Sequence, residues 1–241
     1  MADTAIAPSS TGSSLDLSKA LTFFFEDPNW VPKLVVGTLF AFLTPFVIGA
    51  VFLAGYAITL ARHTMHRAGP TLPEWDDLPG ILVDGLKGLA ITVAHKLPLI
   101  VLSVLMVVAT AGSALLERQS DTIPDGLLYY GLPAIVGGSF LLFVLWIAVA
   151  VYLPAAFVRF IQTDRLGAAF EVMENFAFIR KHLSTYVSAL VAIALAGLIG
   201  QLGVMVFCIG VFPAMFWSAC VVGHVVGELA RLDRGARPTQ S

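Results

Sequence analysis

Beyond residue 96, three long stretches of this chain contain no Asp, Glu, Lys or Arg: residues 97–116, 132–158 and 185–227. Their lengths decide what they can become. A hydrocarbon core of roughly 30 Å takes about 20 helical residues to cross. Residues 97–116 are that long. Residues 127–158 form a second apolar stretch, with Tyr129 and Tyr130 at its start as interfacial anchors and Pro133 as a mild break. Residues 185–227 are long enough for two crossings that reach 185–207 and 211–230, with Gly210 and Pro213 marking the turn between them. Backbone polar groups in lipid must be satisfied internally, which favours helices for segments of this kind. The expected fold class is all-α, a polytopic integral membrane helical bundle with four full spans. Hydrophobic residues make up 58% of the chain and charged residues 12%. Soluble domains carry roughly 25% charged residues, so a large soluble domain beside the apolar segments is excluded.

An earlier apolar block, residues 34–61, is interrupted by Thr44-Pro45 and then Gly49. Pro45 removes a backbone hydrogen bond inside the hydrocarbon. Two readings compete: one kinked span, or a broken hairpin with a short half ending at Leu43 and a longer half from Phe46. The charges favour the hairpin. Residues 61–96 hold Arg62, Arg67, Lys87 and Lys96, residues 159–183 hold Arg159, Arg165, Arg180 and Lys181, and the tail holds Arg231, Arg234 and Arg237. Residues 117–130 hold one basic residue, Arg118. The positive-inside rule then places the three basic regions in the cytoplasm. A hairpin keeps the N-terminal amphipathic helix on that face too.

Three amphipathic segments precede the apolar pairs, a divergent repeat of interfacial helix plus membrane hairpin. Residues 15–26 place Leu17, Ala20, Leu21 and Phe24 on one face, and Asp27-Pro28 ends them. Trp30 comes next as an aromatic anchor. Residues 78–94 put Leu82, Leu86, Leu89 and Val93 in one stripe, with Asp84 and Lys87 on another face. Residues 165–181 carry Leu166, Ala169, Phe170, Met173 and Ala177 as a stripe, with Asp164 as the cap. All three are expected along the cytoplasmic interface. Residues 1–14 read as a disordered tail, 15–230 as a single membrane domain and 231–241 as a basic tail.

Most candidate site residues lie in the polar stretch before the second amphipathic helix. Glu74, Asp76 and Asp77 could serve acid–base or metal chemistry, but a partner is required for either. Capping by Asp76 or Asp77, with Trp75 as an interfacial anchor, explains them without one. Gly85 and Gly88 cost about 1 kcal/mol each in a helix, which close packing against another helix would justify. His63 and His66 have ligand spacing but no third ligand nearby, and a basic helix end accounts for them. Cys208 and Cys220 read as small buried apolar side chains. His224 and Glu228 stand four residues apart near a helix end, and Gly223 with Gly227 forms a small-residue packing face. No cofactor is implied.

The segment GPTLPEWDDLPGILVDGLKGLAI resembles the hallmark of an uncharacterised prokaryotic membrane-protein family, domain of unknown function 4013. FFFEDPNWVPKLVVG, YLPAAFVRFIQTDRLGAAF and GVFPAMFWSACVVGHVVGEL are similar to other parts of that family. The resemblance implies a multi-span membrane protein of no established activity and assigns no functional residue.

The function expected is that of a non-catalytic multi-pass protein of a prokaryotic plasma membrane, an organiser or subunit. Its partners would be the lipid bilayer and membrane proteins or further copies of itself. A net charge of −2 gives nucleic acid no electrostatic support. The alternative is a transporter or channel for a small solute. It is weakened by the lack of ionisable groups deep in the spans, although the break at Pro45 could line a polar path. A membrane-embedded enzyme is disfavoured, because no nucleophile–base pair or Asp pair lies within a span.

Overall fold

The computed structural model describes residues 15–66, 71–117, 131–203 and 209–235. Among them are eight α-helices and no strand: α1 (Leu17–Thr22), α2 (Trp30–Phe42), α3 (Ile48–His66), α4 (Leu78–Glu117), α5 (Leu132–Thr163), α6 (Val172–Lys181), α7 (Leu183–Leu202) and α8 (Val211–Gly235). Four are long and apolar enough to cross a membrane: α4, α5, α7 and α8. Tyr129, Tyr130, Arg118, Arg67, Cys208 and residues 1–14 lie outside the described residues.

The first apolar block is broken, as the proline implied. α2 stops at Phe42, a single 3₁₀ turn covers Thr44–Phe46, and α3 begins at Ile48. Val47 sits at φ 66°, a left-handed conformation that a β-branched residue resists. The chain reverses there, and Phe40 stacks on Phe52 across the turn at 4.4 Å between ring centroids. Neither half is among the four long apolar helices.

α3 is the centre of the bundle. It packs against α8, α4 and α2, and glycines set how closely. A Cβ on Gly55 would meet the carbonyl of Ile81, and one on Gly85 would meet the carbonyl of Val51. On the other side, Gly223 and Gly227 of α8 lie against the backbone of Ala57 and Ala61. The small-residue face of α8 therefore packs within the chain, onto α3. Such approaches multiply dispersion contacts, which hold helices together where the surroundings are as apolar as the interface.

The amphipathic segments differ in detail from the sequence reading. Residues 78–94 are not a separate interfacial helix; they are the first half of the continuous 40-residue α4. The inward face is also different. Ile81, Asp84, Gly85, Gly88 and Ile91 are buried, whereas Leu86 and Val93 are exposed and Leu82 and Leu89 are half-buried. Gly88 does face a neighbour closely, because a Cβ there would lie 2.7 Å from Ile58 Cδ1 of α3. Residues 165–181 form a 3₁₀ turn (Leu166–Phe170) and then α6. Asn175 and Phe178 point inward there, while Met173 is exposed. Asp164 ends α5 in a left-handed conformation instead of capping the 3₁₀ turn after it. Asp16 caps α1 through the amides of Ser18 and Lys19, at 2.9 and 3.2 Å. Residues beyond 230, read as a tail, continue α8 as far as Gly235.

Candidate functional site

The polar stretch before α4 closes onto a site prepared some forty residues earlier. Asp27 lies just after the 3₁₀ turn Phe23–Glu26, and Lys33 stands one turn into α2; both are buried. Lys33 Nζ donates to Asp27 Oδ2 at 3.1 Å and to the carbonyl of Leu72 at 2.7 Å. It also pairs with Glu74 Oε1 at 2.8 Å. An ammonium has three donors; two are used in hydrogen bonds to Asp27 and Leu72, and Glu74 adds an ion pair. The Asp27 carboxylate accepts from the amides of Asn29 and Leu72, both at 2.7 Å. Tyr56 of α3 closes the site from beneath, its hydroxyl donating to the Pro73 carbonyl at 2.8 Å. Burial alone would push the Asp27 carboxyl up. The two amides and Lys33 outweigh it and hold the group below the usual carboxylate range.

The acidic trio lines one cleft with Arg62, His63 and Asp84, but its members have different partners. Glu74 is committed to Lys33. Asp77 caps α4, accepting from the amide of Gly80 at 3.0 Å, and its carboxylate fills the space that a Cβ on Gly80 would need. Asp76 is exposed. Trp75 is half-buried. Its ring stacks on Tyr56 at 4.4 Å and on Phe40 at 5.0 Å, with Phe216 of α8 at 5.8 Å. That aromatic stack locks the stretch to α2, α3 and α8.

A second set of charges ties the helix ends on which the sequence places its basic residues. Arg62 bridges Asp84 of α4 and Asp164 of α5, the latter at 2.7 Å, and its guanidinium lies 5.6 Å above the Phe160 ring. Lys87 stands 3.8 Å from each of the same two carboxylates. Asp84 is thus on the buried face, opposite to the sequence expectation, because Arg62 draws it in. Arg159 pairs with Glu171 at 2.8 Å. Asp233 is buried and receives Lys181 at 2.9 Å, His182 at 3.1 Å and the Gln162 amide at 3.2 Å.

The remaining candidates fall apart from one another. His224 is buried, stacked on Phe23 at 4.0 Å with Nδ1 3.4 Å from Thr64 Oγ1. Glu228 instead pairs with Arg231 at 2.6 Å. His66 lies 3.4 Å from Arg234. Among the described residues no group of three or more His, Cys, Asp or Glu could hold a metal ion. Cys220 is a free, buried thiol.

The family model described as a protein of unknown function, DUF4013, matches residues 38–209. The chain belongs to that family. The DUF4013 match takes in the stretch 72–77, Tyr56, Arg62, Asp84 and Asp164, and stops short of Asp27, Lys33 and α8. No curated protein and no solved structure matches the chain.

Sequence reading missed Asp27 and Lys33. One signal for them was available. Lys33 is the only charged residue between Trp30 and Ala61, and a solitary ammonium at the head of an apolar block calls for a carboxylate. Which carboxylates answer it could not be read, because Glu74 is distant in sequence.

Proposed function

We propose that this DUF4013 member is a non-catalytic, multi-pass integral protein of a prokaryotic cell membrane, serving as an organiser or subunit. One observation carries the reading. Among the described residues the buried charged side chains, Asp27, Lys33, Asp84 and Asp233, are all engaged in ion pairs that join different parts of the chain. Charges used this way fix helix positions. Breaking such a pair is costly, so they are poorly suited to repeated protonation or solute exchange. The basic ends of α3, α5 and α8 would lie on the cytoplasmic side under the positive-inside rule. The exposed Val, Leu and Phe side chains of α4 and α5 would face lipid or neighbouring membrane proteins.

The test is reconstitution into liposomes with efflux measured for glucose, glycine and potassium ions. Efflux equal to protein-free liposomes is expected. Efflux several-fold above that background would overturn the proposal and favour a transporter or channel. Single-cysteine labelling in intact cells tests the orientation. A cysteine at position 234 should label only after the membrane is opened, and labelling from outside would reverse the topology.

A further inference from the structure

α3, α5, α7 and α8 surround a cavity of about 390 Å³ that also touches α4, within the roughly 300–1,000 Å³ common for small-molecule sites. Small residues make room for it: Ala54, Ala57 and Ala61 on α3, Ala150 on α5, and Ala219 and Gly223 on α8. Its lining is apolar apart from Lys96 of α4. Trp146 and Ala150 line the cavity and are exposed, so it opens along the outer side of α5.

Lys96 is exposed and stands directly before the uncharged run 97–116 of α4, at the headgroup end of that run. It is twelve residues beyond Asp84, about 18 Å along α4 at 1.5 Å per residue. The carboxylates that answer Arg62 and Lys87 therefore belong to another level of the bundle. No carboxylate lines the cavity among the described residues. An ammonium at the headgroup end of an uncharged run attracts an anion, and the space beside this one suits a hydrocarbon chain.

We propose that the cavity holds one acyl chain of an anionic bilayer phospholipid, with the lipid phosphate paired to Lys96 Nζ. This rests on the reading of the chain as a membrane protein. The chain of the lipid fills the apolar volume between α5 and the α3–α8 pair, and the phosphate stands at the Lys96 edge. A zwitterionic phospholipid offers the same chain but carries a cation beside its phosphate, which Lys96 repels. Lys96 thereby selects the headgroup and the alanine-lined walls admit the tail.

The test is native mass spectrometry of the full-length protein in detergent, titrated with palmitoyl-oleoyl phosphatidylglycerol, the matched phosphatidylcholine, and palmitate. Phosphatidylglycerol should be retained about tenfold more tightly than phosphatidylcholine, the discrimination one charge pair can supply. Lys96→Ala should abolish that preference and Lys96→Arg should keep it. Ala150→Phe, at the exposed edge, should weaken both phospholipids together. Equal affinities for the two lipids in the wild type would overturn the proposal. So would a preference that survives Lys96→Ala, or unchanged binding in Ala150→Phe. Palmitate bound as tightly as phosphatidylglycerol would overturn the assignment to a bilayer lipid. If Ala150→Phe fails to fold, thermal stabilisation by phosphatidylglycerol decides the matter: it should raise the melting temperature of the wild type and not that of Lys96→Ala. Loss of lipid preference would leave the efflux and labelling results standing, so the two proposals fail separately.

Discussion

The two halves of α4 are both apolar and sit in opposite surroundings. In the first half, Ile81, Asp84, Gly85, Gly88 and Ile91 are buried against α3 and its neighbours. In the second, Ile100, Val101, Val104, Leu105, Val107 and Val108 are exposed. The half with the glycines and the acid is packed; the half with the larger aliphatic side chains is bare. In water the preference would run the other way, since burial follows apolar area. In hydrocarbon, apolar area does not discriminate between neighbours, and close approach and satisfied polar groups do. The exposed Leu86 of the first half fits the same rule.

The packed half is most vulnerable at Lys33, which fixes the stretch leading into it. Lys33→Met leaves Asp27 buried without its cation and should cost about 3–5 kcal/mol. Thermal unfolding in detergent measures it. A loss under about 1 kcal/mol, the scale of an exposed pair, would mean that the clamp does not hold α4.

Next come the glycines. Gly85→Leu should cost about 3 kcal/mol, because its side chain meets the backbone of Val51, which cannot rotate away. Gly88→Leu meets the end of the Ile58 side chain and should fall lower, in the range of about 1–3 kcal/mol. Leu105→Ala in the bare half should change stability by less than about 0.5 kcal/mol. Equal effects in the two halves would end the contrast.

Acid offers a smaller and graded version of the first experiment. The Asp27 carboxyl titrates below its unfolded value of about 3.9. The stability it supplies is therefore present above that pH and is lost as pH falls through the folded value. Unfolding midpoints followed downward from pH 5 should drop more steeply in the wild type than in Asp27→Asn. Parallel curves would remove Asp27 as the cause.

The smallest effect separates the two neighbouring acids. Asp77→Ala should cost about 1 kcal/mol through the lost cap of α4, and Asp76→Ala should be within about 0.5 kcal/mol of wild type. If the order is reversed, the cap has been assigned to the wrong residue.

Much of the local structure was legible. Uncharged runs marked the long helices, Thr44-Pro45 marked the break, and the tight packing of Gly88 and Gly227 matched their spacing and their cost. The facing of the amphipathic segments was not legible, because a leucine stripe points inward in water and has no such preference beside hydrocarbon. Trp75 likewise reads as an interfacial anchor, and the rings of Phe40 and Tyr56 that enclose it come from two other helices.

By itself the sequence determined where helices could form, where they had to break and which ends carried the charge. Those are consequences of side-chain volume, proline geometry and charge, all local to a few residues. Tertiary structure alone decided that Asp27, Lys33 and Glu74 meet, that Arg62 turns Asp84 inward, and that Gly55 and Gly85 face each other. Each of these joins residues remote in sequence, and each depends on which helices approach closely enough for backbones to touch. In a chain this apolar, hydrophobic patterning does not specify that approach; the geometry of small residues and buried charge does.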